Sequence, residues 1–376
     1  MNEILKKSDK DKNIERIYFP ELDGLRFFAF LLVFVHHHSL FAKIPYLSIL
    51  HTNGWIGVDL FFALSAFLFT KLLIAEYNKT KTISFKKFYL RRIFRIWPIY
   101  FLFIGFSVAL YIFFFKGSIG NNIGIRIIGL FTFSDNIMTA IYGYNPLPFI
   151  AHLWTITYEE QFYIFIPIII LLLVRSSFKK KLISVISIFI LFNGIRFALI
   201  ANNVPHPAIW VLPITHFESI VLGIVIGFGG IDFLLKRIRP LMFGLIGIFF
   251  FILLCFLPNL DNISYWLIVS YSFVGISTSM VLFSVLNSNY LKEFFSKELF
   301  VFLGKRSYGL YVYHLLGNGV ASFMIAKISI IPSNSLASFL YSLSFTVIVS
   351  IISYKVIETP FLKLKKRFEV IISRPI

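Results

Sequence analysis

Charge is scarce in this chain. Asp, Glu, Lys and Arg make up only 14% of its 376 residues, against roughly a quarter in an ordinary soluble domain. The remainder is 58% hydrophobic, with a mean hydropathy of +0.82. No water-soluble globule hides that much apolar surface, so lipid is the expected solvent for much of it. Cysteine is nearly absent. Cys255 is the only one, which excludes an intramolecular disulfide. Acidic residues are few, 18 against 36 basic, for a net charge of +18. Such an excess suits nucleic acid, but here the cations sit in short clusters between apolar runs. That placement argues for membrane topology and against a nucleic-acid partner. A cleavable leader is not expected, because about twenty mostly polar residues precede the first apolar run and no small-residue cleavage site follows it. What abounds is aromatic: 19% of residues, 47 of them Phe.

A hydrocarbon layer of about 30 Å needs about 20 apolar residues as a helix, and lipid leaves backbone polar groups no partners outside a helix. The fold class expected is all-α, a polytopic bundle with ten spans at 22–42, 54–76, 91–115, 152–174, 182–200, 209–230, 241–257, 265–286, 303–325 and 337–357. Segment 122–150, broken by Asn, Gly and Pro, reads as an external loop, with a re-entrant course open. Counted over alternate connections, 30 Lys and Arg fall on the side of the termini and 5 on the other. This places both termini in the cytoplasm. The expected domains are a basic N-terminal segment 1–20, a transmembrane domain 21–358 and a basic tail 359–376, too short to fold alone.

Ionisable residues inside spans are costly, and each is a functional candidate. The first span carries Asp23, Arg26 and the run His36, His37, His38. Arg26 and His37 are eleven steps apart, which returns them to one helix face about 16 Å apart along the axis. His37 then lies about 22 Å in from the cytoplasmic side, Asp59 about 7 Å and Glu159 about 9 Å below the opposite surface. Three helices thus put His37, Asp59 and Glu159 at one level. A carboxylate beside a histidine fixes its tautomer while the ring takes a proton from a hydroxyl. The plainer alternative is that each group only bonds a neighbouring helix. His36 and His38 read as structural or access-lining.

The segment FYLRRIFRIWPIYF sets Arg91, Arg92 and Arg95 at the inner mouth of the third span. Guanidinium clusters grip phosphates in bidentate fashion, although topology alone also explains arginines there. Lys86, Lys87 and the C-terminal basic run fit topology or headgroup contact. Span nine opens LGKRSYGLYVYHLL, where Ser307, Tyr308, Tyr311 and His314 form a drifting polar stripe. Interfacial belts explain Tyr308 but not His314 near mid-membrane. Arg196, His216 and Glu218 read as structural pairs.

These residues also resemble a known family, the acyltransferase-3 family of bacterial membrane O-acyltransferases. The likeness rests on six segments in order: ELDGLRFFAFLLVFVHHH, GWIGVDLFFALSAFLF, RRIFRIWPIYF, LWTITYEEQFYIFIP, LGKRSYGLYVYH and IETPF. The family's arginine and histidine, ten residues between them, fall on Arg26 and His37, and its tryptophan–glutamate–glutamine segment points to Glu159. Departures are Ala66 where a glycine usually follows Ser65, Thr359 where a basic residue is common, and THFES where an arginine and an aspartate are frequent. A following SGNH-type esterase domain is not expected, and the resemblance is then to stand-alone members.

The resemblance implies transfer of an acyl group, most often acetyl, from cytoplasmic acyl-CoA to a hydroxyl of an envelope carbohydrate, such as a lipopolysaccharide, an exopolysaccharide or a lipid-linked glycan. It implies a multi-pass protein of the bacterial inner membrane, with acetyl-CoA as donor and no metal. His37, Arg26, Glu159 and Asp59 become the expected catalytic set. Arg91, Arg92, Arg95, Tyr308 and Ser65 are expected at the donor, and Trp154, Tyr163 and His314 at the acceptor. Membrane lipid is a further partner, and oligomerisation stays open. The rival readings are a secondary transporter or flippase for a lipid-linked precursor and a non-catalytic membrane scaffold.

Overall fold

The computed structural model describes residues 17–44, 46–115, 122–328 and 335–372. Most of the expected basic segment 1–20, Lys116 and the end of the basic tail lie outside them. The described chain is helical, with no strand. Its principal helices are α1 (Pro20–His36), α2 (Ile56–Thr80), α3 (Phe85–Leu110), α4 (Ile123–Phe131), α5 (Asp135–Tyr142), α6 (Trp154–Val174), α7 (Phe178–Ala201), α8 (Glu218–Gly227), α9 (Pro240–Cys255), α10 (Trp266–Asn287), α11 (Ser307–Ile328) and α12 (Leu336–Ser353).

Local chemistry sets several boundaries. Pro20 opens α1 at the position where a missing N–H costs nothing, followed by Glu21 and Asp23 in the first turn, where the helix dipole favours acids. Ser177 and Ser335 cap α7 and α12 through their side chains. Lys81 ends α2 in the left-handed region at φ 56°. Pro98 and Pro167 lie inside α3 and α6, a placement that membrane bundles tolerate because neighbouring groups satisfy the freed carbonyls.

Six helical segments among the described residues are long and apolar enough to cross a membrane: Ile56–Thr80, Phe85–Phe114, Ala151–Val174, Phe178–Ala201, Trp266–Asn287 and Leu336–Phe368. The chain is a multi-pass membrane protein. The other four expected spans fall on helices that are shorter or more polar. α1 has 17 residues, α8 has 10 and α9 has 16, while α11 has the length but carries His314 and Asn318.

α2 is the hub. It packs on α1, α6, α8 and α10, while α9 pairs with α10 and α11 with α12. Helix association in lipid depends on close van der Waals approach rather than on expelling water. The α2–α8 seam shows how it is reached. A Cβ at Gly223 would lie 2.6 Å from the Ala63 carbonyl oxygen and 3.1 Å from the Ala66 Cβ. The small residue that lets these helices touch therefore sits on α8, and Ala66, fully buried, is accommodated by it.

The 122–150 segment is more ordered than a loop. It forms α4 and α5, pinned by Arg126. That buried guanidinium pairs with Asp135 at 3.0 Å and donates to Gly143 O and Thr139 Oγ1, both at 2.9 Å. Tyr100 of α3 reaches the Leu130 carbonyl at 2.9 Å, and Gln161 of α6 reaches that of Phe133 at 3.0 Å. The Gly and Asn punctuation marks the turns of a folded insertion.

Candidate functional site: two cavities and a shared wall

The start of α1, the middle of α2 and the starts of α3, α6 and α11 line the first cavity. Its lining holds the cations Arg26, Arg92, Arg95 and Lys365 and the acids Asp23 and Glu159. Arg26 pairs with Asp23 at 2.9 Å, and Tyr18 donates to the other oxygen of that carboxylate at 3.0 Å. Arg92 stacks 4.6 Å over Phe69, and its buried Nε has no hydrogen-bond partner among the described residues. Lys365 meets Glu369 at 3.3 Å. Four cations around one space suit a polyanion.

Arg91 does not join them. It pairs with Glu76 at 3.3 Å and donates to the Phe368 carbonyl at 2.9 Å, fastening α3 to α2 and to the C-terminal segment. Tyr308 lines the basic cavity and donates to Ile96 O at 2.8 Å. Ser65 and Tyr163 also line it, and both donate to Glu159, at 3.4 and 2.7 Å.

The second cavity lies at the other end of α1 and α2. His36, His37, His51, His152, His206, Trp55, Trp154 and Trp210 line it. His37 follows the last residue of α1 and exposes its ring. Its Nδ1 lies 2.9 Å from the Val33 carbonyl, an acceptor only, so this nitrogen carries the proton. By the same logic His314 donates from Nδ1 to Tyr311 O at 2.6 Å. Its Nε2 is then an acceptor, 3.3 Å from His37 Nδ1. The two contacts fix one tautomer of His37 and leave its Nε2 lone pair for a proton from the cavity. His314 thus takes the orienting position that Asp59 and Glu159 were expected to fill.

Those two carboxylates lie elsewhere. Asp59 is buried, 2.8 Å from His216 Nε2, and accepts from Ser219 at 2.8 Å. His216 also donates from Nδ1 to Trp210 O at 3.0 Å, and Tyr158 donates to the His216 carbonyl. Glu159 belongs to the basic cavity. Among the described residues neither carboxylate bonds His37. The level that the three share along the membrane normal does not bring them together. Arg196 and Glu218 do pair, at 2.6 Å, with the guanidinium 4.4 Å over the Tyr271 ring.

Val58, Thr155 and Tyr311 line both cavities. Thr155 Oγ1 and Tyr311 Oη are 2.7 Å apart, so one layer of side chains separates the two spaces. Trp154 lies on the histidine side of that layer and Tyr163 on the basic side.

Sequence reasoning missed Lys365, set aside with the basic run, and His152. Buried His152 faces His314 with ring centroids 4.6 Å apart, and neither of its ring nitrogens has a hydrogen-bond partner among the described residues. A signal existed: His152, Thr155 and Glu159 recur at three and four residues, the spacing of one helix face. Among the described residues no group of three or more His, Cys, Asp or Glu side chains is arranged to hold a metal ion.

Residues 19–355 match the model of a family described as an acyltransferase domain. A Staphylococcus aureus (strain COL) protein, provisionally named an O-acetyltransferase, is 30% identical over 366 residues, covering 92% of this chain and 58% of that protein. The O-acetyltransferase OatA of Staphylococcus aureus (strain NCTC 8325) is 26% identical over 94% of this chain and 59% of its own length. The chain therefore spans less than two thirds of the curated relatives it matches. No solved structure matches it.

Proposed function

Because the chain belongs to the acyltransferase-3 family, we propose that it moves an acyl group, most simply acetyl, from acyl-CoA in the basic cavity to a hydroxyl of an envelope carbohydrate in the histidine cavity. The observation that carries this reading is the single wall of Val58, Thr155 and Tyr311 between the two spaces. A donor with several phosphates suits the cavity with Arg26, Arg92, Arg95 and Lys365, and a hydroxyl acceptor suits the one with a correctly protonated histidine.

In this mechanism the cations hold the donor's phosphates, and its thioester reaches the wall. His37 Nε2 takes the proton of the acceptor hydroxyl. The oxygen attacks the thioester carbonyl, the C–S bond breaks, and the thiol leaves with the proton that His37 held. His314 keeps the His37 ring in the required tautomer. Glu159, held by Tyr163 and Ser65, sits on the donor side of the wall, away from His37, and takes no part in base catalysis.

The 30-to-5 charge split supports a basic cavity open to the cytoplasm of a bacterial cell and a histidine cavity open to the far side. Cysteine accessibility in a Cys255→Ser background tests this. Labelling of positions 259 and 363 from the same side would overturn it.

The direct test is transfer of labelled acetyl from acetyl-CoA by the purified protein, comparing wild type with His37→Ala. Cavities at opposite ends of one bundle also suit a transporter, and that reading prevails if substrate crosses the membrane with no thioester cleaved.

A further inference from the structure

The two cavities are sorted by charge. Four cations line the first, whereas no Lys or Arg is among the described residues lining the second. Its titratable groups are histidines, the phenols of Tyr144 and Tyr311, and one carboxylate, Asp261. Burial lowers His51 and His206 from the ordinary histidine value, which favours their neutral forms. His206 sits 3.3 Å from Asp261 and 3.0 Å from the Tyr144 hydroxyl. Asp261, 67% exposed, marks the rim. The walls are indole: Trp55 and Trp154 each pack against Trp210, with ring centroids 4.8 and 5.4 Å apart.

A phosphate or carboxylate entering this space would shed its water without gaining a cation, and would face Asp261. Like charges a few ångströms apart at a protein surface repel by the equivalent of more than tenfold in affinity. An uncharged sugar meets no such penalty. Its hydroxyls find neutral donors and acceptors in Thr52, Asn259, Tyr144 and the histidines, and its C–H faces find the indoles.

We infer that the histidine cavity binds an uncharged glycosyl unit and rejects uronate and phosphorylated sugars, so that the acylated residue of the acceptor carries no charge of its own. The inference rests on the transfer reading for the role of the cavity, but the binding it asserts is measurable without turnover.

The test uses the purified full chain in detergent, with tryptophan fluorescence as the binding signal. The probes are methyl glycosides of glucose, galactose, N-acetylglucosamine and rhamnose, each set against available uronate and 6-phosphate counterparts. At least one neutral glycoside should bind, and its anionic counterpart should bind at least about tenfold more weakly. Asp261→Lys, and separately Asn259→Lys, should narrow or reverse that gap while the protein keeps its elution volume in size-exclusion chromatography. Equal or tighter binding of the anionic forms overturns the inference. So does acetyl-CoA binding and cleavage with no neutral glycoside bound. If neutral glycosides bind selectively but acetyl-CoA is neither bound nor cleaved, the cavity assignment stands and the transfer reading falls.

Discussion

Thr155 of α6 and Tyr311 of α11 share a hydroxyl–hydroxyl bond of 2.7 Å, and each side chain looks into both cavities. The bond joins helices that are 156 residues apart in sequence. If acyl groups cross at this layer, filling it should stop transfer and spare donor binding. Thr155→Trp is expected to lower acetyl transfer by about 100-fold or more, since a misplaced reacting atom alone costs on the order of 10². Acetyl-CoA affinity measured by calorimetry should hold. Thr155→Val, which removes this bond and the one that Thr155 donates to the His152 carbonyl at 3.0 Å, should cost about 2 kcal/mol of stability and leave most of the activity. Full transfer by the tryptophan variant would show that the group passes elsewhere.

The His37–His314 pair makes a different demand. His37→Ala removes the proposed base and should lower turnover by about 10²- to 10⁴-fold, with donor affinity kept. His314→Phe keeps a ring of similar size but leaves His37 Nδ1 with the Val33 carbonyl alone. Turnover should fall by less than for His37→Ala, and the pH profile of the rate should move. A His314→Phe enzyme with an unchanged pH profile would reduce His314 to packing.

The arginine cluster should divide by function. Arg92→Ala, Arg95→Ala and Lys365→Ala are each expected to weaken CoA binding by about 10- to 100-fold, the range of a hydrogen bond to a charged group. Arg91→Ala should leave CoA affinity within about twofold and act on folding instead, since it strands the nearly buried Glu76 carboxylate. Titration of each variant with CoA, alongside thermal unfolding, separates the two classes. Equal loss of affinity in all four would mean that the cluster acts as one unit.

Arg196 and Glu218 test the bundle rather than the chemistry. Both are buried, and removing either one leaves an unpaired charge, at a cost of about 3–5 kcal/mol. Arg196→Met combined with Glu218→Leu should recover much of that loss, because an apolar pair of similar volume is often as stable as the ion pair it replaces. Thermal unfolding of the singles and the double closes the cycle. A double variant no better than the worse single would point to the Thr215 carbonyl contacts of Arg196, at 2.6 and 2.8 Å, as the larger part.

How far these features could be read from the sequence follows from the kind of information each needs. Apolar run length locates helices, and six of the ten expected spans fall on helices long and apolar enough to cross, while the count of ten and the side of the termini rest on the cation alternation alone. Periodicity within one helix placed Arg26 and His37 at opposite ends of α1, and each now lines a different cavity. Depth, however, is one coordinate. It put His37, Asp59 and Glu159 on one level and left their rotation about neighbouring helices undetermined. Asp59 turned to His216, 157 residues away. Glu159, one helical turn beyond the wall residue Thr155, lay on its other side. The orienting partner was His314, which the sequence had marked as out of place for an interfacial belt but had given to the acceptor. Lys365 was hidden for another reason: a basic tail is so well explained by topology that one cavity-facing lysine within it carries no separate signature.

The thinness of the Val58–Thr155–Tyr311 layer has an electrical meaning. If the two cavities open on opposite faces as proposed, that layer carries the insulation between them, and a few side chains would hold the voltage the membrane sustains. Arg26, Arg92, Arg95 and Lys365 line one approach to the layer, and Val58, Thr155 and Tyr311 are the groups that both spaces share. The same groups that would pass an acyl group, with the one proton that leaves on the thiol, would have to block free ions. Over so short a distance, most of the field would drop across a single hydroxyl pair.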